Sequence, residues 1–316
     1  MTSMTSASLQ LLHRAVFQRM SRKLRQTLAS LAVALLLPAV HAAGEPLPMW
    51  EIRSTASKGA VYLLGSVHVC RESCLQFPES VLRRFRSSQA LAVELDPTNA
   101  DLMGKMLEAM SLPQGQTLTS KLSVGTTRKM QNVAGNLGLP MMLLDNMRPI
   151  MAATMLSTMA AQQQGLSMQN GIDVWFLQQA RATGKPVREL ETIERQLQAL
   201  TASPERDQIS SLEEALDMIE KRRFGPYLEE LIQSWQTGNL NKLSKLMSEG
   251  MGSGKALEQE LLGKRNVEMA DKISVWLARG EQVFVVIGAG HITGKGNVAE
   301  LLERKGYSVR QASNDE

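Results

Sequence analysis

The stretch Val61-Tyr62-Leu63-Leu64-Gly65-Ser66-Val67-His68 decides how the rest of the chain is read. Four apolar residues run into a glycine, and a histidine follows three positions later. A short apolar run stopped by glycine reads as a buried strand ending in a turn. His68 then sits at the strand's carboxyl end, where open α/β sheets hold their ligands. The pattern returns near the C-terminus as Val283-Phe284-Val285-Val286-Ile287-Gly288-Ala289-Gly290-His291. Both stretches are a strand followed by Gly-x-x-His.

The chain of 316 residues has four histidines, His13, His41, His68 and His291. The first two fall in a segment that reads as a removable leader, residues 1–42. Arg22-Lys23-Leu24-Arg25 precedes the apolar Leu28–Leu37, and Pro38 to Ala43 supplies small residues for cleavage after Ala42. The apolar core is too short for a comfortable membrane span, and no later stretch qualifies as one. Residues 1–19 add little to this leader, and Met20 is an alternative start. The mature chain is expected in a periplasm or outside the cell, with His68 and His291 as its only histidines.

Charge excludes one class of partner. Five of the 35 Lys and Arg residues, and none of the 31 acids, lie in residues 1–42, leaving 30 basic against 31 acidic residues. No basic run with interleaved aromatics remains for nucleic acid. Cys70 and Cys74, the only two cysteines, are expected to pair in an oxidising compartment. A thiolate–imidazole metal site with His68 is the alternative.

From the patterning, residues 43–316 read as one α/β domain: a mixed β-sheet covered by helices, with a large helical layer or subdomain inserted at about 193–279. Met49–Arg53 reads as an edge strand in a hairpin with the strand ending at His68. Further strands are expected at Ala90–Pro97, Pro140–Asp145, Val187–Thr192 and Tyr307–Arg310. A helix opens at Gly171-Ile172-Asp173. Met147, Met151, Met155 and Met159 recur every four residues and read as a buried helix face.

The strand ends gather His68, Glu94, Asp96, Asp145, Glu189, Glu191 and His291 on one side of the sheet. Two imidazoles and one or two carboxylates suit a Zn, Mn, Co or Fe ion with an open position for water. Such an ion brings the pKa of its water to about 7, and a free carboxylate serves as general base. Glu94 and Glu191 are the preferred acids. Gly65 and Gly288 are expected to take turn conformations and to let backbone approach a ligand closely. Arg265 is placed to hold a carboxylate or stabilise an oxyanion. Dinucleotide binding at Gly288-Ala289-Gly290-His291-Ile292-Thr293-Gly294 is rejected, because too little chain follows to complete such a fold.

Taken in order, Tyr62–His68, Val93–Asp96, Gly171–Asp173, Leu190–Thr192, Arg265-Asn266, Val286–His291 and Leu301–Val309 resemble the TraB/PrgY/GumN family, which includes the Tiki proteins. The resemblance spans about residues 48–311. It implies a fold of the erythromycin-esterase and ChaN-like type. It also implies a metal-dependent peptidase with His68, His291 and Glu94 as metal ligands, and Glu191 and Arg265 as further motif positions. A divalent Mn, Co or Zn ion and a peptide or small-molecule substrate follow from it. The other readings are a non-catalytic binding protein for a metal, haem or signalling peptide, and a metal-free esterase with a histidine base. N-terminal sequencing of exported protein is expected to begin at Ala43; an intact leader in the membrane fraction would contradict cleavage.

Overall fold

A computed structural model describes residues 46–97, 101–250 and 255–313, so the expected leader lies outside the described residues. Among them, six strands form one mixed sheet. These are β1 (Met49–Arg53), β2 (Ala60–Ser66), β3 (Ala90–Val93), β4 (Val187–Glu189), β5 (Gln282–Gly288) and β6 (Ser308–Gln311), in the order β4-β3-β5-β2-β1-β6. The run β4-β3-β5-β2 is parallel, and β1 is antiparallel to both β2 and β6. The carboxyl ends of the four parallel strands therefore share one edge.

Strands β2, β3 and β5 are buried along nearly their whole length because helices cover both faces, whereas β4, Val187-Arg188-Glu189, lies at the sheet's end and is only partly covered. Along β2 and β5, alternate residues enter different cores. Tyr62, Leu64, Phe284 and Val286 face one core, while Val61, Leu63, Val283 and Val285 face the other. The first core contains α1 (Glu79–Ser87) and the helix that opens after Gly171 (Ile172–Ala182). Aromatics are only 4% of the chain, yet four of its six phenylalanines meet here. Phe176 packs against Phe77, Phe85 and Phe284 with ring centroids 4.9–5.1 Å apart.

The remaining helices, in chain order, are α2 (Asp101–Met110), α3 (Val124–Leu137), α4 (Met141–Asp145), α5 (Pro149–Gln163), α6 (Ile172–Ala182), α7 (Ile193–Thr201), α8 (Glu205–Glu220), α9 (Phe224–Gln236), α10 (Leu240–Gly250), α11 (Lys255–Glu258), α12 (Lys264–Ala278) and α13 (Val298–Arg304). A π-helical turn, Gln259–Gly263, joins α11 to α12. A third core between α3, α5 and α8 takes the methionines. Met147 and Met151 are buried and Met155 and Met159 partly buried, although Met147 lies just ahead of α5 rather than within it.

Three expectations are corrected. Pro140–Asp145 is not a strand: Pro140 caps α4, and Met-Met-Leu-Leu has no β-branched residue to favour extension. Asp145 is therefore remote from the sheet edge, where its carboxylate accepts the Thr119 N–H at 2.8 Å. Strand β1 is internal rather than an edge, because β6 pairs along its outer side. Gly65 and Gly288 are not left-handed; only space requires them. A Cβ on Gly65 would lie 2.3 Å from Ile292 Cδ1.

Cys70 and Cys74 form a disulfide, the expected pairing. It closes the loop after His68, which is further held by the reciprocal backbone bonds of Cys70 with Ser167. Trp235 on α9 is 1% exposed and donates its indole N–H to the Gly65 carbonyl at 2.7 Å. This bond joins the helical layer to the end of β2. Trp235→Phe leaves that carbonyl unpaired and is expected to lower stability by about 1–3 kcal/mol in urea unfolding. An unchanged midpoint would contradict the tie.

Candidate active site

The two Gly-x-x-His segments leave adjacent parallel strands. Ser66 is paired in register with Gly288, so His68 and His291 emerge side by side. Glu94 follows β3, which pairs with the other side of β5. The three converge on Gly288. A Cβ there would lie 3.1 Å from Glu94 Oε1, 3.3 Å from His68 Nε2 and 3.8 Å from His291 Cδ2. Glycine keeps the centre of the cluster open, while the Gly288 N–H donates to Glu94 Oε1 at 2.5 Å.

The outer nitrogen of each imidazole is held by another side chain. Asn266 donates its amide N–H to the Gly296 carbonyl at 2.9 Å, which turns its oxygen toward His291. His291 Nδ1 must then donate to Asn266 Oδ1, 2.6 Å away, leaving an Nε2 lone pair 3.8 Å from Glu94 Oε1. His68 Nδ1 lies 3.2 Å from Asp173 Oδ2, and its Nε2 faces the cluster. Asp173 reaches this point because α6 begins tight against the His68 loop. The Ile172 N–H donates to the Val67 carbonyl, and a Cβ on Gly171 would lie 2.8 Å from the His68 carbonyl oxygen.

Arg265 is 6% exposed. It donates from Nη2 to Glu94 Oε2 at 2.7 Å, from Nε to Glu191 Oε1 at 2.8 Å and from Nη1 to the Leu261 carbonyl at 2.7 Å. The π-helical turn immediately precedes it.

These contacts separate the ionisable groups. Burial raises Glu94, but His291, Arg265, His68 and the Gly288 N–H outweigh it and hold the carboxyl down at about 2. Burial pushes His291 down to about 4 despite Glu94, so it is neutral at neutral pH. The surrounding protein opposes charge on His68, yet Asp173, through charge and hydrogen bond, and then Glu94 lift it to about 9. The His68 side chain is 58% exposed because it stands in a cleft that water enters. Burial raises Glu191 against the opposing pull of Arg265.

The expected site residues thus divide. His68, His291, Glu94, Arg265 and Gly288 border one cavity of about 510 Å³. Glu191 stands behind Arg265, which its carboxylate meets, and its backbone N–H donates to the Glu94 carbonyl at 2.9 Å; among the described residues its buried Oε2 has no hydrogen-bond partner. Gly65 packs on Ile292, outside the cavity lining. Asp96 pairs with Arg181, and Glu189 accepts the Asp96 N–H at 2.8 Å, so both face elsewhere. Asp173 and Asn266 were missed as site residues. The only local signals were an acid opening a helix and an amide beside Arg265.

The donor types fit a divalent ion. Metal-binding histidines characteristically donate their other ring N–H to a carboxylate or carbonyl, as both do here. Among the described residues, however, no three His, Cys, Asp or Glu side chains stand close enough to enclose an ion.

The TraB/PrgY/gumN family model matches residues 48–311. The uncharacterized protein YbaP of Escherichia coli is 25% identical, over 76% of this chain and 87% of that protein. Metalloprotease TIKI2 of Danio rerio is 23% identical, over 83% of this chain and 60% of that protein. The Metalloprotease TIKI homolog of Amphimedon queenslandica is 24% identical, over 84% and 61% respectively. The chain therefore spans about three fifths of these Tiki proteins. No solved structure matches significantly. With the family model covering both histidine motifs and every strand, the chain belongs to the TraB/PrgY/gumN family.

Proposed function

We propose that the protein is an exported hydrolase of peptide bonds, using a divalent ion held by His68, His291 and Glu94. The observation that carries this is the pair of imidazole Nε2 atoms directed at Glu94 around Gly288, with both Nδ1 atoms held from behind. The metalloprotease names of the Tiki relatives support the reaction class. The Cys70–Cys74 disulfide supports an oxidising compartment. No helix among the described residues is long and apolar enough to cross a membrane.

A bound ion would supply a hydroxide nucleophile at neutral pH and polarise the scissile carbonyl. The chain's own residues prepare the rest. Asn266 keeps the His291 proton on Nδ1, so the inward nitrogen stays a lone pair. Arg265 and the Gly288 N–H keep Glu94 ionised inside a largely buried cluster. Asp173 orients His68, the one exposed member. Mn, Co and Zn all suit two imidazoles and a carboxylate.

A second reading rests on the opposed histidine shifts. With His68 held protonated and His291 neutral, the pair can act as general acid and general base without an ion. Chelation separates the readings. Purified protein is expected to take up about one Mn, Co or Zn ion and to cleave peptides only when loaded. His68→Ala and His291→Ala should abolish both properties, whereas Asp173→Asn should weaken metal affinity or activity by about 10–100-fold. Turnover that survives chelation but is lost in either histidine variant would favour acid–base chemistry. Hydrolysis unchanged in His68→Ala would remove both.

A further inference from the structure

The cavity above the histidines has two unlike walls. Its floor is the polar cluster of His68, Glu94, His291 and Arg265. Its roof comes from the helices between β4 and β5, through Met218 of α8, Phe224 and Leu228 of α9, Met247 of α10, and Leu261 and Leu262 of the π-helical turn. Among the described residues, Glu214 is the one carboxylate that the roof adds, Ser157, Gln196 and Ser211 bring further polar atoms, and no lysine borders the cavity. The Tyr227 hydroxyl is already used on the Leu246 carbonyl at 3.0 Å.

We propose that this roof is the subsite for a large apolar side chain flanking the scissile bond, and that Met218 and Met247 set its selectivity. The proposal rests on the hydrolase reading for its bond-cleaving floor, but its binding claim is independent. An apolar side chain entering here leaves water for a surface lined mostly by carbon and sulfur, which is favourable in proportion to the apolar area buried. An acidic side chain would meet Glu214 and Glu94 and lose its hydration, while the cationic groups of the floor are already engaged, Arg265 with two carboxylates and His68 with Asp173. Methionines in the wall adapt to different shapes, so leucine, phenylalanine and methionine should all be accepted.

The test uses blocked tetrapeptides that differ only in one residue, Leu, Phe, Ala, Lys or Asp. Their affinity is measured on the full chain carrying His68→Ala, so that cleavage does not interfere. Leu and Phe peptides are expected to bind at least about 10-fold more tightly than the Asp peptide. In Met218→Ser and Met247→Ser, judged only where the urea midpoint matches the parent, that preference should fall severalfold. Equal binding of all five peptides, or a preference untouched in both serine variants, would overturn the proposal. Cleavage of the same peptides by the unsubstituted protein is followed in parallel. Selective binding without cleavage would retain the subsite and count against the hydrolase reading alone.

Discussion

Arg265 spans two buried carboxylates, Glu94 and Glu191, and the placement of the site depends on it. Its guanidinium bonds Glu94 through one nitrogen and Glu191 through another, from a helix whose preceding turn is π-helical. Removing one member of such a buried group leaves uncompensated charge, at a cost of about 3–5 kcal/mol. The three residues come from the ends of β3 and β4 and from α12, so the ion group joins the sheet edge to the helical layer. It also sets the direction of Glu94, whose other oxygen is turned to the Gly288 N–H between the histidines.

From that constraint the division of labour follows. The parallel strands bring two histidines and Glu94 to one edge, and helices on either side orient the rings through Asp173 and Asn266. The layer between β4 and β5 supplies Arg265 and the apolar roof. The strand ends supply the ionisable cluster and the helices its shape, a separation familiar in α/β folds.

Much of this was legible in the residues because it is local. A run such as Val61–Leu64 stopped by Gly65 announces a buried parallel strand, and its repetition at Val283–Ile287 announces the partner. The proximity of His68 to His291 needed only that these two strands be neighbours, as they are. What was not legible depends on distant pairing. Glu94 and Asp96 look alike in sequence, and only the turn after β3 sends one to Arg265 and the other to Arg181. Asp173 lies 105 residues from His68, and although Gly171–Asp173 is one of the stretches that carry the family resemblance, nothing in it points to His68. Pro140–Asp145 misled because an apolar run of four residues is compatible with either a strand or a short helix.

In the proposed function, His68 and His291 present their inward nitrogens to one ion beside Glu94. X-ray absorption at the metal edge of the zinc-loaded full chain tests it most directly. A first shell of nitrogen and oxygen is expected, with outer-shell imidazole scattering from two histidines, reduced to one in His68→Ala. A shell of oxygen alone without imidazole scattering, or one unchanged in that variant, would contradict it.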